Sequence, residues 1–174
     1  MPVQMAVDSV RIDLLQKHRF VVLKDLTRER YLPIAIGSAE AGAIAIKLMN
    51  AEVLRPLTHD LICTVIATLG GRITRVLIND IVDGVFYARV VLDVDGRHIE
   101  VDSRPSDAIA LAVRTNVPIF VDESVIERAG VEAEPAEGDR AGEREPTGEG
   151  RISEEQLAAF RDVINQLNLD DLGK

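Results

Sequence analysis

Three polar clusters interrupt otherwise apolar stretches of this sequence: Arg55-Pro56-Leu57-Thr58-His59-Asp60, Asn79-Asp80 with Asp83-Gly84, and Asp102-Ser103-Arg104-Pro105-Ser106-Asp107. Their residue types suit phosphate chemistry. Asp60, Asp80, Asp102 and Asp107 can supply oxygen ligands to a hard divalent cation such as Mg2+ or Mn2+, which activates water. Arg55 and Arg104, with the hydroxyls of Thr58 and Ser106, can hold a phosphate, and His59 can exchange a proton as general base or acid. Each cluster taken singly also has a plain structural explanation. Thr58 can cap a helix and Asp60 can sit in its first turn against the helix dipole. Asn79-Asp80 and Asp83-Gly84 are ordinary turn dipeptides, and Asp102 can pair with Arg104 while Ser103 or Ser106 caps. Two of the clusters fall at helix starts, whose free backbone N–H groups attract anions. Arg55 and Arg104 lie beside those starts in chain segments expected to correspond within an internal duplication.

That duplication is read from residues 34 to 46 set over residues 99 to 111. A constant offset of 65 matches Ile34 with Ile99, Ser38 with Ser103 and the two Ala-Ile-Ala triplets, and brings residues 20 to 23 onto 85 to 88. Each unit reads as strand, turn, strand, then a helix opening near a Ser. In the first unit, helices are expected over 38 to 49 and 58 to 69, the latter stopped by Gly70-Gly71. A strand over 73 to 78 and a turn at Asn79-Asp80 lead on. In the second unit a β-branched run over 85 to 94, the hairpin turn Asp95-Gly96 and a return strand over 97 to 101 precede Pro105, a favoured first helical residue. Residues 108 to 113 read as a buried helix, 118 to 121 as a short strand, and Asp122 as the start of a last helix ending near Gly130. The expected fold class is α+β: internally duplicated strand-helix-strand units forming a mixed β-sheet with packed helices, over residues 1 to 131.

Residues 132 to 151 hold repeated Pro, Gly and Glu and no large apolar side chain, the composition of a disordered acidic linker. Residues 152 to 174 open with a capping box, Ser153 with Gln156, and carry Leu157, Phe160, Val163, Ile164 and Leu167 on one helical face. The net charge of -9 in 174 residues is unevenly spread. Residues 132 to 174 contain 12 acidic and 5 basic residues, leaving 17 acidic and 15 basic in the main body. A near-neutral body with arginines at helix starts is compatible with a local phosphate site, although the whole chain lacks the basic coat of a general nucleic-acid binder. The single cysteine, Cys63, excludes an intramolecular disulfide framework and suits a reducing cytoplasm. No signal peptide is read at the N-terminus and no apolar run reaches a membrane span, so a soluble cytoplasmic protein is expected. A Walker loop, GxGxxG, GxSxG and His-Glu-x-x-His are absent. With four Phe, two Tyr and no Trp, mostly inside strand patterns, stacking-based reading of single strands is not expected.

The string running from Arg55-Pro56-Leu57-Thr58-His59-Asp60-Leu61 through Ile78-Asn79-Asp80, Asp83-Gly84-Val85-Phe86-Tyr87-Ala88 and Asp102-Ser103-Arg104-Pro105-Ser106-Asp107-Ala108-Ile109-Ala110-Leu111 to Pro118-Ile119-Phe120-Val121 resembles the bifunctional nuclease family. The resemblance covers roughly residues 3 to 131. It implies a duplicated α+β body, homo-oligomeric assembly and, as in some members, degradation of both DNA and RNA, with the candidate residues named above transferred by motif position. Many members carry a UVR helical hairpin after a linker, and residues 152 to 174 lack its second helix and basic residues. The resulting expectation is a metal-assisted nuclease of little sequence preference, acting on DNA and RNA and using Mg2+ or Mn2+. The competing expectation is a non-enzymatic oligomeric module binding an anionic ligand or a protein at the same helix starts.

Overall fold

A computed structural model of the chain describes residues 1–13 and 18–132. The linker and C-terminal helix expected beyond Glu132 lie outside the described residues. Two three-stranded meanders form the frame: β1 (Pro2–Ile12), β2 (Arg19–Asp25) and β3 (Arg30–Ile36) in the first half, and β4 (Gly71–Val82), β5 (Val85–Val94) and β6 (Arg97–Ser103) in the second. Each is followed by a helix, α1 (Ser38–Leu48) and α3 (Pro105–Thr115). The first half then adds α2 (Thr58–Thr68), and the second adds β7 (Ile119–Asp122), α4 (Glu123–Ala129) and the short β8 (Val131–Glu132). All eight strands join one sheet in the order β6-β5-β4-β7-β1-β2-β3-β8. β7 is the seam between the two meanders, parallel to β4 and antiparallel to β1. The sheet is therefore mixed, as expected.

Why these residues make these strands is visible in the core-facing positions. On β1, Val3, Met5 and Val7 face the core at spacing two, and Val10 follows after a bulge between Val7 and Ser9. On β4, Ile73, Val76, Ile78 and Ile81 face it, with bulges between Ile73 and Arg75 and between Ile78 and Asp80 resetting the alternation twice. The turns use the residues their geometry demands. Asp83-Gly84 and Asp95-Gly96 all have positive φ, between 51° and 79°, the conformation of a tight hairpin whose twist matches its strands.

Helix α3 lies at the centre. Ala108, Ile109, Ala110, Leu111 and Ala112 are consecutive and all buried, so the helix is enclosed around its whole circumference. It packs on α1 and α2 and on β3, β4 and β5, although β3 and β4 are separated by three strands in the sheet. The sheet therefore curls around it, and α4 likewise touches both β3 and β4. Small alanines let the helices approach the strands closely while Ile109 and Leu111 fill the space between.

Several expectations are corrected. Asn79-Asp80 is not a turn but a bulge inside β4, and the chain reverses at Asp83-Gly84. The strand β1, unassigned from sequence, is eleven residues long. Thr58 is the first residue of α2 and Leu57 its cap, while Asp60 Oδ2 accepts the Leu57 backbone N–H at 2.8 Å. Ser103 does not cap α3, because its hydroxyl donates to the Arg104 carbonyl at 2.9 Å. Within the duplication α1 corresponds to α3 and α2 to α4, so the segment holding Arg55 matches β7 rather than the α3 start that carries Arg104.

The loop joining β2 to β3 is organised by a buried carboxylate. Asp25 is 1% exposed and accepts hydrogen bonds from the Thr27 backbone and hydroxyl, the Arg28 backbone and two nitrogens of Arg30. Arg30 also pairs with Glu123, fastening the loop to the start of α4. Burial alone would raise the Asp25 pKa, but these donors outweigh it and lower it from 3.8 to about 2. A depressed folded pKa gives stability that is complete above about pH 4 and lost as the pH falls towards 2. Asp25→Ala leaves Arg30 with Glu123 alone and the Thr27 and Arg28 donors without their acceptor, and should cost about 3 kcal/mol in urea unfolding at pH 7. The deficit relative to wild type should shrink as the pH is lowered through that window.

Candidate functional site

Three helix starts converge on one polar cluster. His59 is the second residue of α2 and the only buried residue of that helix. Its Nε2 lies 2.9 Å from Oδ1 of Asp107, in the first turn of α3. The other carboxylate oxygen, Oδ2, accepts from Arg104 Nε at 2.7 Å, and Arg104 Nη2 donates to Oε1 of Glu40, in the first turn of α1, at 2.7 Å. Arg104 is thus shared between two carboxylates. Its side chain remains 65% exposed, so the guanidinium forms the solvent-facing rim and His59 the buried wall. Burial opposes ionisation of Asp107, yet the donors Arg104 and His59 outweigh it and hold its carboxyl below the ordinary range. With Nε2 held by the carboxylate, Nδ1 is the nitrogen of His59 left to exchange a proton.

One residue further along, Asp60 makes a second link between α2 and α3. Its Oδ1 accepts from Arg114 Nε at 2.7 Å and its Oδ2 from the Leu57 N–H. Arg114 is in the last turn of α3 with a side chain only 5% exposed, and it also donates to the carbonyls of Ala110 and Ala43. The Asp60 carboxyl is likewise held low, because the Leu57 N–H and Arg114 outweigh its desolvation. Asp107 and Arg114 are seven residues apart, two turns of one helix face, and together they grip consecutive residues of α2.

The remaining sequence candidates are placed elsewhere. Asp80 lies on the β4 bulge, accepts the Ile81 backbone N–H and pairs with Arg128 of α4 at 3.4 Å. Asp102 is an exposed position on β6 in register with Arg89 of β5, while its neighbour Val101 is in register with the core residue Val90. Alternation along the strand therefore turns Asp102 to the face opposite the helices. Arg55 and Thr58 are exposed beside the α2 start, and Ser106 is buried in the first turn of α3. So His59, Asp60, Arg104, Ser106 and Asp107 are gathered by the helix starts, and Asp80 and Asp102 are not.

Glu40 and Arg114 were not singled out from sequence. Glu40 follows Ser38 in a helix start and carries no distinguishing pattern of its own. Arg114 had one available signal, its seven-residue spacing from Asp107. A divalent cation of the Mg2+ or Mn2+ kind needs several convergent oxygen ligands. Among the described residues no three His, Cys, Asp or Glu side chains come together in that way. The carboxylates of Asp60 and Asp107 are already committed to arginine, histidine and backbone donors. As arranged, these residues do not fit a bound divalent cation.

Fold and site together define a duplicated α+β domain whose polar centre is a histidine–carboxylate–guanidinium cluster at converging helix starts. The chain belongs to the bifunctional nuclease family: the bifunctional nuclease domain model matches residues 21–134. An uncharacterized protein of Mycobacterium tuberculosis is 38% identical over 168 residues, covering 97% of this chain and 96% of that protein. Bifunctional nuclease 2 of Oryza sativa subsp. japonica is 32% identical over 112 residues, 62% of this chain and 34% of that protein. Bifunctional nuclease 1 of Oryza sativa subsp. indica is 28% identical over 118 residues, 66% of this chain and 36% of that protein. This chain therefore matches about a third of the length of the rice proteins. No helix among the described residues is long and apolar enough to cross a membrane.

The two arginines of the site differ in burial, and burial sets their worth to the fold. Arg104→Ala removes exposed ion pairs and should cost about 1 kcal/mol or less. Arg114→Ala leaves Asp60 and two carbonyls without their buried donor and should cost about 3 kcal/mol. Urea unfolding of the two variants measured side by side checks the ordering.

Proposed function

We propose that this protein is a nuclease that hydrolyses phosphodiester bonds in DNA and RNA with little sequence preference. The observation that carries the reading is the His59–Asp107–Arg104 cluster, found in a chain of the bifunctional nuclease family. Asp107 orients His59, whose Nδ1 takes a proton from water as the water oxygen attacks phosphorus. Arg104 exchanges a carboxylate partner for a phosphate oxygen and stabilises the charge that grows there. The bond to the leaving oxygen then breaks, and that oxygen is protonated from solvent. Recognition of the charged backbone alone, without stacking aromatics, accounts for both sugars being accepted. A cytoplasmic location is part of the same reading, since Cys63 is a free thiol, half-buried and raised in pKa chiefly by that burial.

Homo-oligomeric assembly belongs to this proposal and is supported by α2. Its outer face exposes Leu61, Ile62 and Val65, continued by Leu69, and bears no charge. An exposed apolar face of this kind is normally covered, and an uncharged face offers nothing to a polyanion. A second copy of the chain is the occupant assigned to it.

One specific observation favours the binding-module alternative: the Asp60 and Asp107 carboxylates are so fully paired that they also serve as clamps between α2 and α3. An assay separates the readings. Purified wild type should cleave single-stranded DNA and RNA, and His59→Ala and Asp107→Ala should each lose about a hundredfold or more in rate while remaining folded. Running the assay with Mg2+, with Mn2+ and with EDTA tests the metal assistance expected from sequence, for which the site offers no set of protein ligands among the described residues. Turnover that persists in both variants would sink the nuclease reading, and binding without turnover under every condition would favour the module. Light scattering should give a multimer for wild type and a monomer for Val65→Glu. An unchanged mass in a folded variant would remove α2 from the interface.

A further inference from the structure

α2 is an unusual carrier for a reacting group. Of its eleven residues only His59 is buried, with Asp60, Cys63 and Ile66 partly so. Beneath it lies an open cleft of about 360 Å³ lined by Cys63, Ile66, Ala67, Gly71, Ile73 and Val117, among others. Apolar packing therefore does little to fix where α2 begins. Two polar tethers at consecutive residues do that instead. One is the His59–Asp107 bond, which is part of the proposed chemistry. The other is Asp60–Arg114, which touches no reacting group.

The geometry points to Arg114 as the positioning residue of the site. Its guanidinium fans out to three elements: Nε to Asp60 of α2 at 2.7 Å, Nη1 to the Ala110 carbonyl of its own helix at 3.0 Å, and Nη2 to the Ala43 carbonyl of α1 at 3.1 Å. A planar fork with donors in fixed directions holds three partners at once, which the single ammonium of lysine cannot reproduce. Asp60 passes the constraint on, because its second oxygen holds the Leu57 N–H at the cap of α2. The backbone on both sides of His59 is thereby pinned to α1 and α3. The same two helices carry Glu40, Arg104 and Asp107. Arg114 thus keeps the imidazole in register with the carboxylate and guanidinium that face the substrate, from the far end of α3.

The role rests on the nuclease reading for its kinetic consequence, but the positional claim can be read without catalysis. Arg114→Ala, Arg114→Lys and Asp60→Asn should stay folded by circular dichroism with lowered Tm. Each should lose kcat at nearly unchanged KM for an oligonucleotide, by about a hundredfold for Arg114→Ala, the size expected of an ångström-scale misplacement. Added guanidinium ion should restore part of the Arg114→Ala rate. In histidine-selective nitrogen NMR, wild type should show a protected ring N–H on His59, assigned by its loss in His59→Gln, and the three variants should show it exchanging freely. A folded Arg114→Ala protein with the wild-type ring signal and wild-type kcat would overturn the inference, as would a lowered Tm with no change in either. If Arg114→Ala does not fold, Arg114→Lys and Asp60→Asn decide by the same readouts. If wild type cleaves nothing, the nuclease reading fails, and the ring N–H signal alone decides the positional claim.

Discussion

Enclosing α3 on every side is the constraint on which the rest of the molecule depends. A helix with five consecutive buried residues has no exposed flank on which to place polar groups, so its charges fall at its two ends. Arg104 and Asp107 stand at its start, and Arg114 in its last turn. They find partners on two of the elements that enclose the helix, α1 and α2. The polar cluster follows from burying the helix, because the same charges that could handle a phosphate are the ones that fasten the helical layer together.

That double duty explains why the site reads so evenly between two functions. Paired carboxylates and arginines at helix starts are what a well-satisfied fold requires, and they are also what an anion-handling centre requires. The distinguishing feature is the asymmetry of exposure. His59 is nearly closed to solvent while Arg104 is mostly open, so the cluster has a buried imidazole end and a solvent-facing cationic end. In the Asp25–Arg30–Glu123 network, by contrast, the arginine side chain is only 13% exposed and one of its two carboxylates, Asp25, is fully buried.

Duplication supplied the frame and then diverged in what it carries. The two meanders repeat with their hairpins and following helices, yet only α3 is enclosed all round. The first unit has no counterpart of β7 in the sheet; its equivalent segment, around residues 54 to 57, runs along the surface into α2. That departure frees α2 to lean across α3 and bring His59 to Asp107, where its counterpart α4 instead follows directly on the central strand and touches β3 and β4.

The local elements and their kind are written into short stretches of the chain. The strand β5, the Asp95-Gly96 turn, the start of α3 at Pro105 and the extent of α1 and α2 are set by alternation, by residues that tolerate positive φ and by helix-start chemistry, all of which act within a few residues. The α+β class and the family followed from the repeat and the motif string. β1 was hidden because the bulge near Asp8 breaks its alternation, and the bulges of β4 hid its length in the same way. The site was legible in part, since His59, Asp60, Arg104 and Asp107 sit in recognisable helix starts. Which carboxylates meet which cations depends on how the elements pack. Asp102 is turned away by the strand's alternation once β6 is in register with β5, and Asp80 is drawn to Arg128. Glu40 and Arg114 enter because helix packing brings residues 54 to 71 positions apart within hydrogen-bond distance. Charge pairing at such separations depends on how the sheet curls, and no local pattern encodes that.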